Sequence, residues 1–178
     1  MARWGLSVAQ VILDPRPGLV TRNIGTRTLT KIMSRILIRL PETFPFCTDI
    51  VLYQSHINYG GHLDNALLLT LVSEARVRFF KSLGYTELDV EGVGIIVSDA
   101  ALQYRSEAFH GEVMLVRIGP ANFSRKGCDL LWCMNEQSSG REVARGKTGI
   151  VFFDYATHKT VPVPQAFRDR HPADEPFQ

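Results

Sequence analysis

The sequence has only three cysteines, Cys47, Cys128 and Cys133. An odd count with no secretory signal at the start of the chain predicts reduced thiols that pack in a core, and a cytoplasmic setting. Cys128 and Cys133 have no further ligands nearby, and His56, His110, His158 and His171 stand at no metal-ligand spacing, so no metal site is expected. No membrane-length apolar run occurs either: the greasiest stretch, from Ala66 to Leu83, is interrupted by Glu74, Arg76, Arg78 and Lys81. Ser55, Ser73 and Ser98 lack the Gly-x-Ser-x-Gly setting of a nucleophile elbow, which argues against a Ser-His-Asp hydrolase. Gly92-Val93-Gly94 lacks the third glycine of a dinucleotide cradle.

Basic residues are also scarce where a nucleic-acid partner would need them. The net charge of +2 hides six Lys or Arg against one acid in residues 1–35, which leaves the rest of the chain mildly acidic, with no basic face. That first segment is read as an extension over residues 1–33, either disordered or the product of a start set too far upstream, with organelle targeting or an ordered part of the fold as the alternatives. Pro15, Pro17 and Gly18 interrupt any amphipathic helix there. Ile36 to Leu40 then reads as a strand, residues 34–168 as one domain, and residues 169–178 as a flexible tail.

What is present centres on His56-Ile57-Asn58-Tyr59-Gly60-Gly61-His62-Leu63-Asp64-Asn65. Two glycines permit unusual backbone angles and close approach by a ligand. A helix predicted from about Leu63 to Ser82 follows at once, and its unpaired N–H groups favour negative charge, such as that developing on a polarised carbonyl oxygen. Leu68, Val72, Ala75, Phe79 and Leu83 form one apolar line on it, with Leu67, Leu69 and Leu71 adding surface, so something is expected to wrap it. Gly84 is placed to stop it.

The remaining chain alternates like strand: residues 46–55 before the glycines, then Gly94 to Tyr104, Glu112 to Ile118, Cys128 to Asn135 and Glu142 to Asp154. Gly119-Pro120-Ala121-Asn122 reads as a turn. In the last run Ala144, Gly146, Thr148, Ile150 and Phe152 share a face whose small members would let a helix lie close. The fold class is α+β, a curved antiparallel sheet around one long helix.

Ile57-Asn58-Tyr59-Gly60-Gly61-His62-Leu63, with Glu74-Ala75-Arg76-Val77-Arg78-Phe79-Phe80 and Leu83-Gly84-Tyr85 downstream, resembles the hotdog-fold acyl-CoA thioesterases of the 4-hydroxybenzoyl-CoA thioesterase-like superfamily. Tyr104 to Gly111 and Val151 to Pro164 strengthen the resemblance, which covers Ile36 to Phe167. It implies hydrolysis of an acyl-CoA or acyl-carrier-protein thioester without metal or organic cofactor, by a homodimer or dimer of dimers, with no nucleic acid or membrane partner. The scaffold also hosts hydratases, dehydratases and proteins with no reaction.

Main-chain N–H groups around Gly61 and His62 are the expected oxyanion donors. The family's Asp, three residues before the Gly-His pair, is Asn58 here, and an amide cannot take a proton. The base then falls to His62, Asp64, Glu74 or a partner-chain residue. Tyr59, Gly60, Gly61 and Asn65 complete the expected substrate contacts, and Arg105, Arg125 and Lys126 could meet coenzyme A phosphates. Each has a structural counterpart: Asp64 and Asn65 as helix caps, Asn58 as a turn residue, His62 bonded to a carbonyl, Glu74 in an ion pair, Tyr59 covering the core. Asn58 also motivates a non-catalytic thioester-binding reading. A hydratase would need Asp-x-Asn-Pro-x-His, where this chain has His56 for the Asp and Tyr59 for the Pro.

Overall fold

The computed structural model describes residues 36–171, all within one compact unit of the chain. The expected extension over residues 1–33 lies outside them. The elements run β1 (Phe46–Val51), a 3-10 turn (Gln54–His56), α1 (Leu68–Ser82), β2 (Gly94–Tyr104), β3 (Val113–Ala121), β4 (Gly127–Glu136), β5 (Glu142–Asp154), β6 (Lys159–Thr160) and α2 (Gln165–Asp169). The strands form one curved antiparallel sheet in the order β1-β3-β4-β5-β2, with β6 added to β5. Two register shifts, between Val97 and Asp99 and between Met134 and Asn135, supply bulges that bend the strands.

One face of this sheet is the core. Met114, Val116 and Ile118 of β3, Leu130, Trp132 and Met134 of β4, and Ala144, Ile150 and Phe152 of β5 are all essentially buried. Leu68, Leu71, Val72, Ala75, Phe79 and Phe80 present the buried side of α1. Full burial of such side chains stabilises the fold by about 1.5–3 kcal/mol each. The small residues of β5 serve a different neighbour from the expected one: Gly146 pairs with Trp132, and a Cβ there would fall on the indole and within 2.7 Å of the Ala101 carbonyl oxygen. The indole ring therefore occupies the room those residues leave.

The helix is shorter than its apolar pattern suggested, 15 residues, about 22 Å at 1.5 Å per residue. Leu63 is held in a bridge to Ile57, so the backbone cannot coil until residues 64–67 have turned. Leu69 and Val77 stay exposed within the single chain, so α1 is packed along one side. Its end follows expectation: Gly84 takes φ +84°, its N–H bonds Lys81 O, and the Tyr85 N–H bonds Phe80 O, the paired closure of a left-handed cap.

Two other expectations change. Gly119, Pro120 and Ala121 continue β3 instead of turning, because Pro120 lies past the end of β1, where no ladder N–H is required. Ile36 to Leu40 joins no ladder; Ile38 is buried, its N–H bonding Gln103 Oε1 and its carbonyl accepting from Arg145, so side chains meet its backbone groups. The three thiols are unpaired, but only two pack as expected: burial pushes the Cys128 thiol up to about 12 and raises that of Cys133, whereas Cys47 is exposed on the edge strand β1. At the start of the expected tail, Arg170 lies over Tyr85 and donates to Leu83 O.

Gly146→Val should lower stability by about 1–3 kcal/mol in urea unfolding, through overpacking against Trp132. At the β4–β5 turn, Glu136 accepts from Ser139 Oγ at 2.5 Å, Ser138 N at 2.8 Å and Ser139 N at 2.7 Å. These bonds, the Ser139 hydroxyl foremost, hold its carboxyl at about 2 against an ordinary 4.5. A depressed carboxyl stabilises the fold above its unfolded value and loses that contribution as pH falls toward the folded one. The stability gap between wild type and Glu136→Gln should therefore be full at pH 7 and shrink from pH 4.5 toward 2, as read by unfolding at each pH.

Candidate active site

The segment between β1 and α1 folds upon itself around Asn58. Its side-chain Oδ1 accepts the Gly60 N–H at 2.8 Å, its carbonyl accepts the Gly61 N–H at 3.0 Å, and its own N–H reaches His62 O at 2.9 Å. Gly61 sits at φ +81°, where side chains are strained. Gly60 is demanded by crowding: a Cβ would stand 3.0 Å from His62 Nε2 and 3.1 Å from Asn58 Oδ1. The double glycine thus lets the loop close beneath the imidazole. His62 Nδ1 lies 3.4 Å from Asn58 Nδ2 and 3.3 Å from Leu63 O.

Two further bonds fasten this loop. The Leu63 N–H donates to Ala108 O at 2.7 Å, and the Asp64 N–H to His56 O at 2.9 Å. Asp64 then closes the turn that leads into the helix. Its Oδ1 accepts the Ala66 and Leu67 N–H groups at 2.8 and 3.3 Å, and its carbonyl accepts the Leu68 N–H. Among the described residues the main-chain N–H groups of His62 and Asn65 have no hydrogen-bond partner. Of the two donors expected from sequence, Gly61 is thus engaged in the turn and His62 is available.

Beside these amides lies a cavity of about 330 Å³ lined by His62, Leu63, Asn65 and Leu68 on the helix side. Tyr104 to Ala108 and Val143 form the opposite wall. Leu63, Leu68, Ala108 and Val143 are buried and make its apolar floor. The Tyr104 hydroxyl donates to Asn65 O at 2.8 Å and ties β2 to the helix start. Of the residues expected from sequence, His62 and Asn65 line this cavity. Asn58, Gly60 and Gly61 support it from the turn, and Tyr59 is fully exposed.

Glu74 lies mid-helix and accepts from Arg78 Nε at 2.7 Å, while the same guanidinium reaches Thr48 Oγ1 and Asp49 O on β1. Arg105 lines the cavity, whereas Lys126 donates to Thr160 elsewhere on the sheet. The wall residues Tyr104, Ser106, Glu107, Ala108 and Val143 were not named as site residues from sequence. They come from the end of β2, the following loop and β5, and only strand pairing brings them to the helix. The run Tyr104 to Gly111 carries part of the family resemblance as a block, and nothing in its spacing points at the helix mouth.

Asp64→Ala should cost about 1 kcal/mol of stability in denaturant unfolding, and Asp64→Asn little, because either Asp or Asn caps a helix start. A loss of turnover in Asp64→Asn out of proportion to its stability would instead assign the carboxylate a chemical part.

The fold has counterparts among solved structures. A 1,4-dihydroxy-2-naphthoyl-CoA thioesterase from Synechocystis is similar with a TM-score of 0.63 at 18% identity, over 69% of this chain and 92% of that one. A DHNA-CoA thioesterase from Staphylococcus aureus gives 0.62 at 21%, over 70% and 85%. A thioesterase complexed with coenzyme A and Zn from Thermus thermophilus gives 0.62 at 19%, over 74% and 100%. At such identities the likeness speaks for the fold. A search of the curated proteins finds no match. The family model of the thioesterase-like superfamily, however, matches residues 52–170, from the end of β1 through α2, and the chain therefore belongs to that superfamily.

Proposed function

We propose that this protein hydrolyses acyl thioesters of coenzyme A or of a carrier protein. The observation that carries the reading is the unpaired His62 N–H beside a cavity with an apolar floor. A thioester carbonyl docked there would meet a main-chain donor as negative charge develops on its oxygen, with the acyl group against Leu63, Leu68, Ala108 and Val143. In characterised hydrolases one such donor contributes roughly 10²- to 10³-fold to rate. The Asn58 amide orients the His62 ring, and the ring in turn covers Gly60. The Asn65 N–H is a second donor at the same mouth.

The working form is a homodimer or dimer of dimers. Among the described residues β2 is a terminal strand of the sheet, 11 residues long, with Val97 and Tyr104 exposed on it and one edge unpaired. Such an edge is a template for pairing with another chain. Because Tyr104 also lines the cavity, pairing there would bring a second subunit to the site.

A non-catalytic binding role is the second reading, supported by the way Asp64 is committed to capping and Glu74 to Arg78. Purified full-length protein, incubated with short, medium, long and aromatic acyl-CoA substrates and a thiol reagent, should release thiol well above background. Tight acyl-CoA binding in calorimetry with no release from any substrate would favour the binding role and overturn hydrolysis.

A further inference from the structure

We infer that Glu107 is the general base of this site. The inference rests on the hydrolase reading and supplies what that reading lacks, a carboxylate able to reach water in the cavity. Among the described residues Glu107 is the one acid lining the cavity, which His62 and Asn65, the residues with the free N–H groups, line as well. Its carboxylate has no hydrogen-bond or ion-pair partner among those residues. The neighbouring acids are all committed: Asp64 to the helix start, Glu74 to Arg78, Glu112 to Arg141, and Glu142 to Arg145.

The backbone that carries Glu107 is held from outside the cavity. The Arg141 guanidinium donates to the Glu107 carbonyl, to Ser106 Oγ at 3.0 Å and to Glu112 Oε1 at 2.8 Å. Glu112 Oε2 in turn accepts the Phe109 N–H at 2.9 Å, and Ala108 O accepts the Leu63 N–H. Such a planar fork fixes several acceptors at once. The same wall therefore orients the loop that bears the carboxylate and the loop that bears the oxyanion donor.

The step balances without a further reactant. Glu107 takes a proton from water as the water oxygen bonds to the thioester carbon, and the carbonyl electrons move to the oxygen facing the His62 N–H. Collapse of that intermediate breaks the C–S bond, and the proton held by Glu107 passes to the departing sulfur. Products are a carboxylic acid and a thiol. Because Glu107 stands in the loop after β2, it is not one of the helix or glycine-loop positions from which the sequence suggested a base.

The test uses the full chain, a thioester substrate that wild type hydrolyses, and the Glu107→Gln and Glu107→Asp variants. Glu107→Gln should lower kcat on the order of 10²- to 10⁴-fold, the range for a positioned base, with KM little changed. It should also lose the acid limb of the wild-type pH–rate profile, and Glu107→Asp should recover part of the rate and that limb. Wild-type kcat and pH profile in Glu107→Gln, with wild-type hydrolysis intact, overturn the assignment and leave the hydrolase reading standing. A fall in kcat matched by an equal loss of folded protein in circular dichroism, with the acid limb kept, also overturns it. If wild type releases no thiol from any substrate, the hydrolase reading falls and the assignment with it.

Discussion

One hydrogen bond organises the cavity end of this protein, the 2.7 Å contact from the Leu63 N–H to Ala108 O. It joins the loop before the helix to the loop after β2, two segments more than forty residues apart in sequence. With the Ile57–Leu63 bridge beside it, it stops the backbone from coiling early and leaves the peptide before it, the one carrying the His62 N–H, outside any ladder. Were Leu63 coiled into α1 instead, its N–H would turn toward a carbonyl of the preceding turn and the cavity wall would lose its anchor. A bond between two buried main-chain groups is costly to leave unmade, which keeps the junction closed.

Around that junction nearly every polar group is already engaged, and this narrows the chemistry. Asn58 closes the glycine turn with both its side chain and its main chain. Asp64 closes the turn that leads into α1, so its carboxylate is already engaged by main-chain N–H groups. Arg141 holds the loop over the cavity from the far side. Among the described residues that line the cavity, the groups that remain open include the main-chain N–H groups of His62 and Asn65 and the Glu107 side chain. An arrangement in which the support is satisfied and the cavity is left with free donors matches what catalysis of acyl transfer requires, since donors fixed in advance need no reorganisation when charge develops.

Legibility followed the range of the interactions. The two strands Gly94–Tyr104 and Glu142–Asp154 stand where extended runs between turn residues placed them, because strand-favouring composition and turn chemistry act over a few neighbouring residues. Gly84 ends the helix as read, because a left-handed cap needs only local backbone freedom. The helix start was misplaced by five residues, since the apolar pattern continues through Leu63 although the backbone there belongs to a bridge. Gly119-Pro120-Ala121 looked like a turn because turn chemistry is local, whereas the freedom of Pro120 from its ladder duty depends on where β1 ends. Of the residues that line the cavity, His62 and Asn65 are the ones that the sequence singles out, from their place beside the double glycine. Glu107 and Tyr104 were not, because the loop bearing them comes to the cavity through strand pairing.

The amino-acid order was enough to establish the antiparallel plan, the family and the Gly-Gly-His loop as the place to look, because periodicity and glycine tolerance act over a few neighbouring residues. Folding in three dimensions decided which amides stay unpaired, which acids are committed to structure and which face the cavity. Those outcomes depend on hydrogen bonds between residues such as Leu63 and Ala108, or Arg141 and Glu107. Their distance apart along the chain carries no trace of their contact in space.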